Sequence, residues 1–129
     1  MPLALVALVG TVGCGARVPL PRYAQVRADD YVPVPYPPRP PPVEIVPLRP
    51  EDAPGAVWAD GGWEWSGERY EWKPGAWVVP PRGARRVRWV IVRRRDDGQL
   101  FFAPSSWRAA DDAPIDAPLP LVRAEAPAR

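Results

Sequence analysis

The chain has 129 residues, 17 basic and 15 acidic side chains, a net charge of +2, no histidine and one cysteine. That inventory argues against imidazole acid/base catalysis, Cys/His nucleophile pairs, internal disulfides and the common zinc sites, and no cofactor is expected. Proline accounts for 21 residues, 12 of them before Glu51, so a single small folded domain is expected in the second half.

Residues 3–12 are apolar or small. At fewer than about 18 residues the run is too short to span a bilayer and fits the hydrophobic region of a signal peptide, taken as residues 1–13. Thr11-Val12-Gly13-Cys14 resembles a bacterial lipobox, with Thr11 where Leu is usual. The resemblance implies that Cys14 is lipidated and becomes the new amino terminus, so that the protein meets the membrane through a lipid anchor. Gly15 after the cysteine resembles lipoproteins sent on to the outer membrane. The other reading is an ordinary secretory signal cut near Cys14-Gly15-Ala16. Both place the protein outside the cytoplasm.

Residues 14–54 read as a Pro-rich linker, densest at Pro33-Val34-Pro35-Tyr36-Pro37-Pro38-Arg39-Pro40-Pro41-Pro42. Proline fixes its own φ, extends its predecessor and lacks an amide donor, so a disordered or polyproline II spacer is expected. Fully extended, residues 31–54 would reach ~70 Å. Pro38-Arg39-Pro40-Pro41 is also a candidate docking motif for an aromatic groove, although a spacer is the simpler use.

Residues 55–107 hold all seven tryptophans. Trp63 and Trp65 alternate with Gly62 and Glu64, and Tyr70 and Trp72 alternate with Arg69, Glu71 and Lys73, the period of strands with one aromatic face. Gly67 suits the first central position of a type II′ turn, which places Trp65 opposite Tyr70 and Trp63 opposite Trp72. Pro74-Gly75 breaks the second strand and residues 76–79 form a third; Gly61 and Gly75 are expected at sharp bends with positive φ. A longer strand is predicted over residues 87–95, with Val87, Trp89 and Ile91 on one face. Asp97-Gly98 then turns into Leu100-Phe101-Phe102 through a two-residue turn or a three-residue turn with a bulge. The expected fold is all-β, a small Trp-rich antiparallel meander with no helix beyond one turn. At ~50 residues it is near the lower size limit for independent stability, so Trp63, Trp65, Tyr70 and Trp72 are assigned to the core, while Trp58, Trp77 and Trp107 are expected to be exposed.

Residues 108–129 turn to Ala, Asp and Pro and read as a disordered tail. The apolar patch Leu119-Pro120-Leu121-Val122 is a candidate for docking on the module.

The frame Trp58-x-x-Gly61-x-Trp63 recurs as Trp72-x-x-Gly75-x-Trp77, fourteen residues on. With Tyr70 leading it, the second copy resembles the YXWXXGXW repeat of short, often lipidated bacterial envelope proteins. The first copy has Ala56 at the leading position. The resemblance implies an envelope-associated β repeat and supplies no catalytic residue.

Aromatic faces stack on sugar rings, and Arg or carboxylates beside them bond hydroxyls and acidic substituents. Non-catalytic binding of peptidoglycan or another envelope glycan is therefore the first functional expectation, with Trp58, Trp77, Arg86, Arg88 and Arg94 as ligand contacts. The arginines belong to a run of seven, Arg82, Arg85, Arg86, Arg88, Arg93, Arg94 and Arg95, uninterrupted by any acid. The alternative is a structural or assembly protein that meets another envelope protein through strand edges and a Val90/Val92 face. The Arg/Trp strand also has the look of a nucleic-acid platform, but export argues against that partner. Glu64 and Glu71 face each other in the predicted hairpin as a glycosidase pair would, yet beside Arg69 and Lys73 on a solvated face. No catalytic residue is assigned.

Overall fold

The computed structural model describes residues 17–125. Cys14 and the signal region lie outside them. The architecture is all-β, and the one helical element among the described residues is a single 3-10 turn, Ala28–Asp30. In chain order the strands are β1 (Tyr23–Ala24), β2 (Val32–Val34), β3 (Val57–Ala59), β4 (Gly62–Trp65), β5 (Tyr70–Lys73), β6 (Ala76–Val78), β7 (Arg85–Val87), β8 (Val90–Arg93), β9 (Leu100–Ala103), β10 (Ser106–Arg108), β11 (Pro114–Ile115) and β12 (Val122–Arg123). They assemble into four small sheets, ordered β1-β7-β10-β11, β12-β6-β3, β2-β9-β8 and β4-β5. Pairing is antiparallel except between β1 and β7.

The repeats form one hairpin interrupted at its middle. Trp58 pairs with Trp77 and Ala59 with Ala76, and the same register resumes as Gly62 with Lys73, Trp63 with Trp72 and Trp65 with Tyr70. The turn at Gly67 has φ 99°, as its sequence position requires. Trp63 stacks edge-on against Trp72 at 5.2 Å, and Tyr70 packs against Trp65 at 4.8 Å. The predicted cluster therefore forms, but its rings are half-buried rather than enclosed.

The expected linker and tail are corrected by the structure. Residues 17–54 lie along the module instead of standing off it: β1 joins β7, β2 joins β9, and the Trp58 amide donates to the Pro19 carbonyl at 2.8 Å. Val34, from the densest proline run, is 2 % exposed and packs with Leu100 and Phe102. The physical reason is size. A hairpin module of this length cannot cover its own aromatic faces, and an extended proline segment can lie against them without having to donate amide hydrogen bonds. Pro33 is accommodated because β2 is an edge strand. The tail is recruited in the same way, β11 onto β10 and β12 onto β6, which docks Val122 opposite Trp77 but leaves Leu119 exposed.

Two further expectations change. The single strand over residues 87–95 is divided at Arg88-Trp89, because β7 and β8 belong to different sheets. The loop around Asp97-Gly98 is neither of the expected lengths. The Arg94 amide donates to the Gln99 carbonyl and the Gly98 amide to the Arg94 carbonyl, leaving residues 95–98 as a four-residue connection with Gly98 at φ 72°.

A candidate ligand groove at the repeat junction

At the interruption of the repeat hairpin, Pro74 has no amide to offer and the amides of Gly61 and Gly75 are turned away from the ladder. Both donate instead to the carboxylate of Glu44, Gly61 to Oε1 at 2.7 Å and Gly75 to Oε2 at 2.8 Å. The register pairs the first tryptophan of each repeat with the last of the other, so the two copies are related by a local two-fold axis. The carboxylate, with one oxygen on each copy, spans that axis.

The glycines are required by proximity. A Cβ on Gly61 would stand 2.5 Å from Cζ2 of Trp72 and 2.6 Å from Oε1 of Glu44. The symmetric Cβ on Gly75 would stand 2.7 Å from Cζ2 of Trp58 and 2.9 Å from the same oxygen. Neither glycine has a positive φ, which corrects the expected left-handed bends. Space, not backbone conformation, selects Gly at this point of the repeat.

An open groove of about 500 Å³ lies over this junction, lined by Pro41, Pro42, Glu44, Val46, Trp58, Asp60, Gly61, Trp72, Arg88 and Trp89. Trp72 and Trp89 are half-buried and supply its aromatic surface. The Arg88 side chain is 60 % exposed and is held by Asp60 Oδ2 at 2.9 Å and by the Tyr23 ring at 5.0 Å. Its hydrogen bond to Asp60 raises the guanidinium above the usual arginine range, so it is cationic throughout.

Of the five expected contact residues, the groove takes Trp58 and Arg88. The expected exposure of Trp58, Trp77 and Trp107 is overturned: they are 5 %, 3 % and 3 % exposed. Trp58 and Trp77 stack edge-on at 5.6 Å, and the Trp77 indole N–H donates to the Pro47 carbonyl at 2.8 Å. The proline segment and the tail enclose this end of the hairpin, so Trp77 has no face left for a ligand. Arg86 is buried too, its Nη2 donating to the Asp60 carbonyl at 2.6 Å, and burial pulls its guanidinium below the usual arginine range against the attraction of Asp60. Arg94 is exposed but sits at the β8–β9 connection, paired with Asp97 at 2.5 Å and stacked on Phe101. The basic run does not act as one patch, since Arg85, Arg86 and Arg88 are paired with Asp112 and Asp60 from elsewhere in the chain and Arg94 with Asp97 in the adjoining turn.

Glu64 and Glu71 are opposed in register as expected, and Lys73 lies between them at 3.8 and 3.9 Å. A second cleft, of about 480 Å³, is lined by Trp63, Glu64, Lys73, Arg86, Ser105 and Ser106 among others, and excludes Glu71.

Sequence reasoning missed Glu44, Asp60 and Trp89, and assigned Trp72 to the core. One signal for Glu44 was present: it is the single acid between Asp30 and Glu51, within a proline-rich run.

Fold and site together define an all-β module built on a two-fold tryptophan-glycine hairpin. The family model of the WXXGXW repeat matches residues 54–78 in two copies, so this hairpin is a pair of WXXGXW repeats. No curated protein and no solved structure matches the chain.

Proposed function

We propose that the protein is a non-catalytic binding module that holds an envelope glycan, such as peptidoglycan, in the groove over the repeat junction. The observation that carries this reading is the combination of accessible indole surface from Trp72 and Trp89 with the exposed, fixed cation of Arg88 along one open groove. Indole faces stack on the apolar faces of sugars, and a guanidinium beside them bonds hydroxyls or acidic substituents. Lipidation at Cys14 would tether the module to the outer membrane. Because residues 17–54 pack on the module, that tether would hold it close to the anchor rather than at the end of a stalk.

The test is co-sedimentation of the full chain, carrying Cys14→Ser to prevent lipid attachment, with purified peptidoglycan. The parent is expected to pellet. A variant with Trp89→Ala and Arg88→Ala, folded by circular dichroism, is expected to stay in the supernatant. Equal pelleting of both would remove the groove from the reading.

A second reading, a structural protein that contacts another envelope protein, is favoured by a different observation. Val43, Leu48 and Leu119 are 86, 93 and 85 % exposed, large apolar side chains that the proline segment and the tail leave open to a partner. Cross-linking in intact cells that captured one dominant protein through these residues would support it.

A further inference from the structure

The two glycine amides make a receptor for one carboxylate, and in this chain the receptor is filled from within. Three observations define it. The donors converge from two symmetric copies of the repeat onto the two oxygens of Glu44, one bond each. Any side chain at Gly61 or Gly75 would intrude on Glu44 Oε1 as well as on an indole, so the residue that defines each repeat is also the one that admits the carboxylate. And the site opens to the groove through Glu44 and Gly61, which line it together with Trp58 and Trp72.

The segment that delivers Glu44 is held largely by polar contacts. Its neighbours Val43 and Ile45 are 86 and 48 % exposed, and its nearby fastenings are hydrogen bonds: the Glu125 amide to the Ile45 carbonyl and the Trp77 indole to the Pro47 carbonyl. Little apolar burial opposes its withdrawal, since the hydrophobic term scales with the area removed from water. Two amide donors facing a groove with no acceptor are costly, so a vacated notch would favour another carboxylate over water or a neutral group.

We propose that the paired WXXGXW glycines form a carboxylate-binding notch, that Glu44 is its resident occupant, and that a carboxylate-bearing sugar entering the groove displaces it. This deepens the glycan reading and rests on it for the sugar; the notch itself stands apart and is tested apart.

The experiment uses the full Cys14→Ser chain and its Glu44→Ala and Glu44→Gln variants. Thermal unfolding is followed in sodium formate and in sodium chloride of equal ionic strength, with the Gly61 and Gly75 amide resonances as the local readout. Formate is expected to raise the midpoint of Glu44→Ala and move both resonances back toward their positions in the parent, while leaving the parent unchanged. If Glu44→Ala is unfolded in chloride, the same result takes the form of folding recovered in formate. Glu44→Gln retains one acceptor for two donors, and its midpoint is expected between the other two. No difference between formate and chloride in either variant would overturn the notch.

The ligand class is read by titrating Glu44→Ala in chloride, where no other carboxylate competes for the notch, with N-acetylmuramic acid and its neutral methyl ester; if Glu44→Ala folds only with a carboxylate present, the acid in place of formate is expected to recover folding and the ester is not. The acid is expected to bind at least about tenfold more tightly, the factor for one charge-assisted hydrogen bond. Equal binding of acid and ester, with formate rescue intact, would leave the groove reading standing and overturn the carboxylate-bearing ligand. Rescue with binding of neither would sink the glycan reading alone.

Discussion

Gly61 lies so close to the indole of Trp72 that a methyl group on it would stand 2.5 Å from Cζ2, with Glu44 Oε1 and the Lys73 carbonyl almost as near. Gly75 stands in the same relation to Trp58. Gly61→Ala and Gly75→Ala are each expected to destabilise the fold by about 2–4 kcal/mol, because a backbone carbonyl, of Lys73 beside Gly61 and of Ala59 beside Gly75, stands next to a packed indole and cannot retreat. Gly67→Ala separates conformation from space: its φ is 99° with nothing within 4 Å, and the expected cost is about 1–2 kcal/mol. Gly55→Ala meets neither obstacle and should be neutral or slightly stabilising. Urea midpoints of the four variants give the ranking.

Trp58→Ala and Trp77→Ala are expected to act on stability, at about 3–5 kcal/mol each, since both indoles are enclosed and stacked on one another. Trp89→Ala, at a half-buried position lining the groove, should cost less. A pair of denaturation curves checks the contrast. Trp58→Ala that unfolded at the parent's midpoint would mean that the indole is not core.

The hairpin was legible because its determinants are local. Alternation across residues 63–65 and 70–72, with Gly67 between them, dictates register without reference to the rest of the chain, and the register is as those residues predict. What covers the hairpin was not legible. Trp58 and Trp77 look like strand-end residues until Pro19, Pro47 and the Val122 strand close over them, and each of those contacts joins residues at least 30 apart in sequence. Composition also misled: proline density argues for a spacer, yet an extended segment without donors is well suited to covering an aromatic face. The site inherits the same difficulty. Glu44 is visible in the sequence as a lone acid, but its partners are backbone amides, and backbone amides leave no mark in a sequence.

Arg108 and Asp30 tie β10 to the 3-10 turn. The Arg108 side chain is 4 % exposed and its Nη2 meets Asp30 Oδ2 at 2.8 Å. Removing the acid leaves a guanidinium in a buried site with its main partner gone, so Asp30→Ala is expected to cost on the order of 3 kcal/mol. The double variant Asp30→Ala with Arg108→Met should recover part of that loss, because the stranded charge is then gone as well. A double-mutant cycle by chemical denaturation would show it, and strict additivity would contradict the pairing.

Asp112 is the one non-glycine residue at positive φ among the described residues, 70°, and its carboxylate meets both Arg27 and Arg85, so it joins the proline segment to the tail and to β7. The hydrogen bond from Arg27, with desolvation opposing it, holds the carboxyl below the usual aspartate range. A depressed carboxyl contributes its stabilisation above the unfolded-state value, about 3.9, and loses it as pH falls through the lower folded-state value. The contribution is therefore constant from neutral pH down to about pH 5 and declines only in stronger acid. Asp112→Asn keeps a residue that tolerates the left-handed conformation and removes the charge. Its denaturation midpoint is expected below the parent's at pH 7 and convergent with it in strong acid, while Asp112→Gly should match Asp112→Asn if charge alone matters. A gap between parent and Asp112→Asn that stayed the same at every pH would show that the side chain acts there by shape rather than by its ion pairs.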